Sequence, residues 1–303
     1  MTSNHPPAQD RRVIIVTGAS QGLGAAIATA LFAPPLSCNL ILTARSAAAL
    51  EALAATLAAA STIPPGAPDY RAVVVAGDAQ ESETGRACVA AALREFGRLD
   101  GLVLNHGIVE PVARVEDVEF GEWKRCLDVN FFSMLYFVQA VPTLPHSPLG
   151  CGSADFADVV PGCAQIQPAL PHLRDSPTGT GRVLFTSSGA AVSHYGAWGA
   201  YGSSKAALNH LCGTLAKEEG PRVLAMAVRP GMVDTAMQTS VREVHGAKML
   251  VHEAAKFERA HEKGTLVRPE VVGAVMARLV VDGGAELNGK FFSWDGEEAK
   301  AYR

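Results

Sequence analysis

The sequence predicts an α/β domain: a doubly wound, seven-stranded parallel sheet with helices on both faces, carried by a single domain. Three observations lead there. Short, almost continuously apolar runs alternate with longer helix-like stretches, as strands covered on both faces by crossover helices require. The first such run, at 12–16, is followed at once by a glycine-rich turn that opens a helix. No internal repeat or linker divides the chain.

The strands are expected at 12–16, 39–44, 70–76, 101–104, 182–186, 223–228 and 290–293. Each is a short run of β-branched or other apolar residues. Between them the helix-like stretches fall at 22–32, 47–60, 82–96, 120–140, 200–218 and 269–281. Residues 1–11 read as a flexible start, and 12–303 as the domain.

Two stretches break the alternation. Residues 141–165, VPTLPHSPLGCGSADFADVVPGCAQ, are rich in Pro, Gly and Ser and are longer than loops inside compact domains usually are. Removing them joins FVQA at Ala140 to IQPALPHL at Ile166 and restores one helix leading to the strand at 182. The stretch is therefore expected to be a surface insertion, or in a eukaryotic source the translation of a retained intron, since Val141 and Gln165 are compatible with GT- and CAG-type codons. Sequencing the spliced transcript separates the two. Residues 232–268, charged and mixed-helical after a strand, are placed as a lid over a pocket, with a solvated helical excursion as the alternative.

Composition narrows the function classes. With 303 residues, 48% of them hydrophobic, the chain can bury a sizeable core. A net charge of -4 with scattered Lys and Arg gives no basic face for a nucleic acid. No apolar run approaches the roughly 20 residues of a membrane span, and the polar start is unlike a secretory signal, so the expected location is cytoplasmic. The cysteines, Cys38, Cys88, Cys126, Cys151, Cys163 and Cys212, are widely spaced without a CxxC pair. They are expected to be reduced thiols, and no metal site is assigned.

The turn TGASQGLG, residues 17–24, has the form of a dinucleotide cradle. Gly18 permits the sharp turn, Gly22 lets backbone approach a pyrophosphate, and Gly24 lets helix and strand pack closely. Ser20, Gln21 and Leu23 complete it; by itself such a turn is also ordinary turn chemistry. At the end of the second strand, where an acid would hold the ribose 2′-hydroxyl of NAD, Ala44 is followed by Arg45. A guanidinium there suits the 2′-phosphate of NADP(H), although Arg45 also reads as a solvated helix-start residue. Asp78, beyond the third strand, is placed to meet the adenine or to cap a helix.

Tyr201 and Lys205, in YGSSK, are four residues apart on a helix and share a face. A neighbouring ammonium eases ionisation of a phenol, so Tyr201 can serve as acid or base. Ser188, in FTSSG at the end of a core strand, lies 13 residues earlier and offers a hydroxyl to the reacting oxygen.

With these motifs in this order the sequence resembles the short-chain dehydrogenase/reductase family, from Arg12 to about Trp294 apart from 141–165. The shared motifs are TGASQGLG, DA at Asp78, LNHG at 104–107, Asn130 in DVNFF, Ser188, Tyr201, Lys205 and RPGMVDT at 229–235. The resemblance implies a Rossmann-type fold and a nicotinamide-dependent oxidoreductase. It implies that Asn130 holds a water linking Lys205 to solvent, that Asn105 steadies the sheet centre beside Gly107 and the cofactor, and that Pro230, Gly231, Val233 and Thr235 shape the nicotinamide and phosphate site. Two departures stand out. His106 occupies a position where the family usually has Ala, and Gln21 one where NADP-preferring members often have a basic residue.

Within the family, WGAYGSSKAALNH at 198–210 and GMVDTAMQ at 231–238 look like the sepiapterin reductase and benzil reductase branch. That resemblance implies an NADPH-dependent carbonyl reductase acting on a small molecule, such as one carbonyl of a vicinal diketone. Trp198, Met232 and Met237 would be walls of its pocket, or core packing. A pteridine reductase, an NAD(P)-dependent secondary-alcohol dehydrogenase and a non-catalytic NADP-binding sensor are the alternatives. A homodimer is the expected assembly, if any.

Overall fold

The computed structural model describes residues 11–60, 71–138 and 169–303. Seven parallel strands form one sheet in the order β3-β2-β1-β4-β5-β6-β7. They are β1 Val13–Thr17, β2 Asn39–Ala44, β3 Ala72–Ala76, β4 Gly101–Leu104, β5 Gly181–Thr186, β6 Val223–Arg229 and β7 Phe291–Ser293. The order reverses between β1 and β4, so their carboxyl ends open the crevice where ligands bind in such sheets.

Period-two side-chain alternation divides the core into two layers. Ile14, Val16, Leu40, Leu42, Val103, Leu184 and Met226 face one way. They pack on α1 (Gly22–Phe32), α2 (Ala47–Ala60) and α10 (Pro269–Asp282). Val13, Ile15, Ile41, Leu102, Leu104, Val183 and Phe185 face the other way. There they meet α3 (Ser82–Phe96), α5 (Ser133–Val138) and α7 (Gly199–Glu219). Because every central strand is covered twice, its sequence has no polar face to show.

The expected helix over 120–140 is not a single α-helix. It runs as α4 (Phe120–Leu127), a π turn (Asp128–Phe132) and α5, with 139–140 outside the described residues. The widening centres on Asn130, fully buried, whose side chain pairs with the backbone of Ile108: Oδ1 accepts from its N–H and Nδ2 donates to its carbonyl, both at 2.8 Å. Single π turns of this kind are frequent at functional sites.

The 141–165 stretch lies outside the described residues, as do 1–10 of the flexible start; Arg11 is buried. The short α6 (Ala169–Arg174) leads into β5. The 232–268 region contains α8 (Ala236–Ser240), a second π turn (Val241–His245) and α9 (Val251–Glu262). Its two ends are tied by a bridge between Val233 and Val267. Cys38, Cys88, Cys126 and Cys212 are buried and free, while Cys151 and Cys163 are outside the described residues. Burial pushes the thiols of Cys38, Cys88 and Cys212 up to about 12 and that of Cys126 to about 11, away from thiolate chemistry.

Candidate active site

A cleft of about 980 Å³ opens at the carboxyl ends of the strands. The β1–α1 turn forms its floor. Gly18 and Gly22 have φ of +63° and +55°, a region glycine enters without strain. A Cβ on Gly24 would lie 2.1 Å from the Gly18 carbonyl oxygen, so only glycine lets α1 begin so close to the turn. Ser20, Gln21, Gly22 and Leu23 line the cleft, and the Thr235 methyl, from the 232–268 region, lies against Gly22.

Arg45 and Asp78 stand at the ends of β2 and β3 and both line the cleft. Arg45 is exposed, with no ion-pair partner among the described residues. Asp78 accepts from the Gln80 N–H at 2.9 Å, a turn cap made by one of its two oxygens. Asn105, after β4, donates to the Thr17 carbonyl and accepts from the Thr186 hydroxyl, bridging the strands around the crevice. Gly107, Pro230, Gly231 and Val233 also line it. This cradle, with a guanidinium at one end and bare backbone at the centre, fits an extended dinucleotide.

The catalytic candidates meet on the other wall. Ser188 ends the β5 loop as the cap of a short 3₁₀ turn, its Oγ accepting from the Ala190 N–H at 3.1 Å. Its side chain and the phenol of Tyr201 line the same cleft. Tyr201, in the first turn of α7, is 8% exposed. Burial raises its pKa and the nearby Ser188 hydroxyl works against that rise. Lys205, one turn on, has its Nζ 5.9 Å from the Tyr201 ring centroid and donates to the Thr186 carbonyl at 2.9 Å. Burial lowers Lys205 to about 8.

One of the ammonium's three N–H groups goes to a β5 carbonyl, and burial is the largest influence on the phenol's proton affinity. Asn130 reaches the same place from below. A Cβ on Gly107 would lie 3.0 Å from Asn130 Oδ1 and 3.5 Å from Lys205 Nζ. The Asn130 amide also donates to Ser204 at 3.0 Å, so its side chain is fully occupied.

Trp198, Met232 and Met237 line the cleft beyond Tyr201. Trp198 is buried and meets Tyr201 edge-on, with ring centroids 5.5 Å apart. Met237 is 38% exposed at the rim. The sequence reading missed two partners in this wall. Tyr195 and Phe257 flank Trp198 at 4.9 and 5.4 Å, Phe257 reaching in from α9. Its signal, a lone aromatic on a charged helix, says nothing of what it faces.

The short-chain dehydrogenase family model matches residues 12–147 and 161–246. The chain belongs to the short-chain dehydrogenase/reductase family. It is 32% identical over 293 residues to a benzil reductase ((S)-benzoin forming) of Saccharomyces cerevisiae, covering 94% of this chain and 97% of that one. An uncharacterised oxidoreductase of Schizosaccharomyces pombe is 34% identical over 93% of this chain and 96% of its own length.

Among solved structures, the KRED1-Pglu enzyme shares 35% identity with a TM-score of 0.77, covering 93% of this chain and all of that one (100%). A short-chain dehydrogenase/reductase of Saccharomyces cerevisiae shares 33% with a TM-score of 0.79, covering 96% and 99%. The chain is thus an oxidoreductase of a family that uses a nicotinamide cofactor. The family match leaves out 148–160, inside the stretch that the sequence marks as inserted. Among the described residues no helix is long and apolar enough to cross a membrane, and no cluster of His, Cys, Asp or Glu could hold a metal.

Proposed function

We propose that this family member is an NADPH-dependent carbonyl reductase whose substrate is a small ketone, such as one carbonyl of a vicinal diketone. The observation that carries it is the convergence of Ser188, Tyr201 and Lys205, the last two one helical turn apart, on a cleft that the glycine turn also lines. A bound NADPH would supply the hydride. Gly18, Ser20, Gln21, Gly22, Leu23 and Gly24 would hold its pyrophosphate, and Arg45 its 2′-phosphate.

The chain's own groups manage the proton. Burial raises the Tyr201 pKa, so the phenol carries its proton at neutral pH and can donate it to the carbonyl oxygen as negative charge develops there. Ser188 donates to the same oxygen and orients it. Lys205, close to its ionisation midpoint of about 8, can return a proton toward the phenolate through the region that Asn130 closes. Trp198, Tyr195 and Phe257 give the substrate end an aromatic wall suited to flat aryl groups, which supports the likeness to a benzil reductase. The cytoplasm and a homodimer are part of the same proposal.

The test is initial-rate turnover with NADPH and with NADH over benzil, sepiapterin and simple secondary alcohols. Benzil reduced with NADPH in clear preference to NADH is expected. Turnover confined to alcohol oxidation, or preference for NADH, would overturn the reading.

A further inference from the structure

His106 stands two residues after β4, in the segment 105–108 that lines the crevice. The imidazole spans two parts of the site. Its Nδ1 lies 2.7 Å from the hydroxyl of Thr17, the residue before Gly18, and its Nε2 lies 2.6 Å from the hydroxyl of Ser133, the residue after the π turn. The ring is tilted against Phe137, centroids 5.9 Å apart.

Proton accounting fixes the roles. Ser133 Oγ is 2.6 Å from the Val129 carbonyl, which can only accept, so the serine donates there and must accept from His106. The ring then carries its proton on Nε2, leaving Nδ1 to accept. Thr17 Oγ1 already accepts from the N–H of Asn105 at 2.9 Å, and its own proton points to Nδ1 at 2.7 Å in preference to the Val103 carbonyl at 3.2 Å. Burial, and secondarily the Lys205 ammonium, lower His106 to about 3, so the ring keeps this one-donor, one-acceptor form at working pH.

The segment 105–108 therefore grips the π turn twice. The Ile108 backbone holds Asn130, and the His106 ring holds Ser133, which in turn holds the carbonyl just before Asn130. An alanine at 106 makes only the first of these grips. We propose that His106 is a positioning residue, cross-tying the cofactor turn at Thr17 to the π turn and so fixing Asn130 beside Lys205 for proton return. The inference rests on the proposed reductase reading.

The test uses the full 303-residue chain bearing His106→Ala, Asn130→Ala, both changes together, and His106→Gln. The readouts are kcat and KM for benzil, NADPH affinity, and amide hydrogen exchange at 128–133. His106→Ala is expected to lower kcat on the order of tenfold to a hundredfold, as misplacement of a catalytic neighbour does. KM and the NADPH dissociation constant should stay within about twofold, with exchange at 128–133 faster.

The double variant should fall no further than Asn130→Ala alone, because both changes cut one relay. His106→Gln, whose amide can donate near the Nε2 position, should recover most of the rate. Should His106→Ala fold poorly, Ser133→Ala removes a single hydroxyl from the other end of the tie and should repeat the pattern. Losses that multiply across the two sites, an effect confined to KM, or unchanged exchange at 128–133 would overturn the proposal. If the wild-type chain reduces no carbonyl, the functional reading fails while the exchange measurement still decides the tie.

Discussion

Arg45 closes one end of the cleft with an exposed guanidinium, and its proposed partner is the phosphate that distinguishes NADPH from NADH. Arg45→Ala should weaken NADPH binding about tenfold, the lower range for a charge-assisted pair at an exposed site, and leave NADH nearly unchanged. Fluorescence titration with both nucleotides checks this. Lys205 shows the opposite side of functional design. Its ammonium is nine-tenths or more buried, and its pKa falls from 10.5 to about 8. The unfolded chain therefore binds more protons between those values, so folding is penalised below about 8 and the penalty fades as pH rises toward 10.5. Lys205→Met should be inactive yet more stable at pH 7, by up to roughly 3 kcal/mol, with the gain shrinking toward pH 10. Thermal melts at several pH values test both the sign and the window. That Ser188, Tyr201 and Lys205 share one cleft was legible from residue types and spacing, but their electrostatics were not. Only the fold shows that Lys205 turns to the Thr186 carbonyl and that burial governs Tyr201.

The β1–α1 turn is the element whose sequence leaves least freedom. Gly24→Ala would drive a methyl against the Gly18 carbonyl and the Asn105 amide, at 2.1 and 2.7 Å before relaxation. A loss of about 1–3 kcal/mol, as overpacking typically brings, is expected together with loss of measurable NADPH binding. Chemical denaturation and nucleotide titration read the two separately. Strands β2 and β4 and helices α1, α2 and α3 fall where the sequence puts them, because apolar runs and helical periodicity report burial directly. The π turn was not legible. Its central Asn130 meets Ile108, 22 residues away, and local periodicity carries no trace of such a contact. Phe257 and Tyr195 escaped for the same reason, since their packing on Trp198 is a property of the fold between α9 and the loop before α7.

The sheet's strand order brings every catalytic and cofactor candidate to one edge of the molecule, whereas 141–165 departs from the family pattern. The family match leaves 148–160 aside, which supports the proposal that this stretch is an insertion off the catalytic core. Deleting 141–165, joining Ala140 to Ile166, is expected to keep NADPH binding and turnover within about twofold, since changes of loop length cost little. A deletion variant that folds but no longer turns over would place those residues in the working enzyme. The account as a whole depends on Tyr201 giving its proton to the reduced carbonyl. The direct measurement is NADPH oxidation with benzil by Tyr201→Phe, beside NADPH affinity for the same protein. Turnover reduced by at least about a hundredfold with affinity kept is the predicted result. Turnover at the wild-type rate would contradict it.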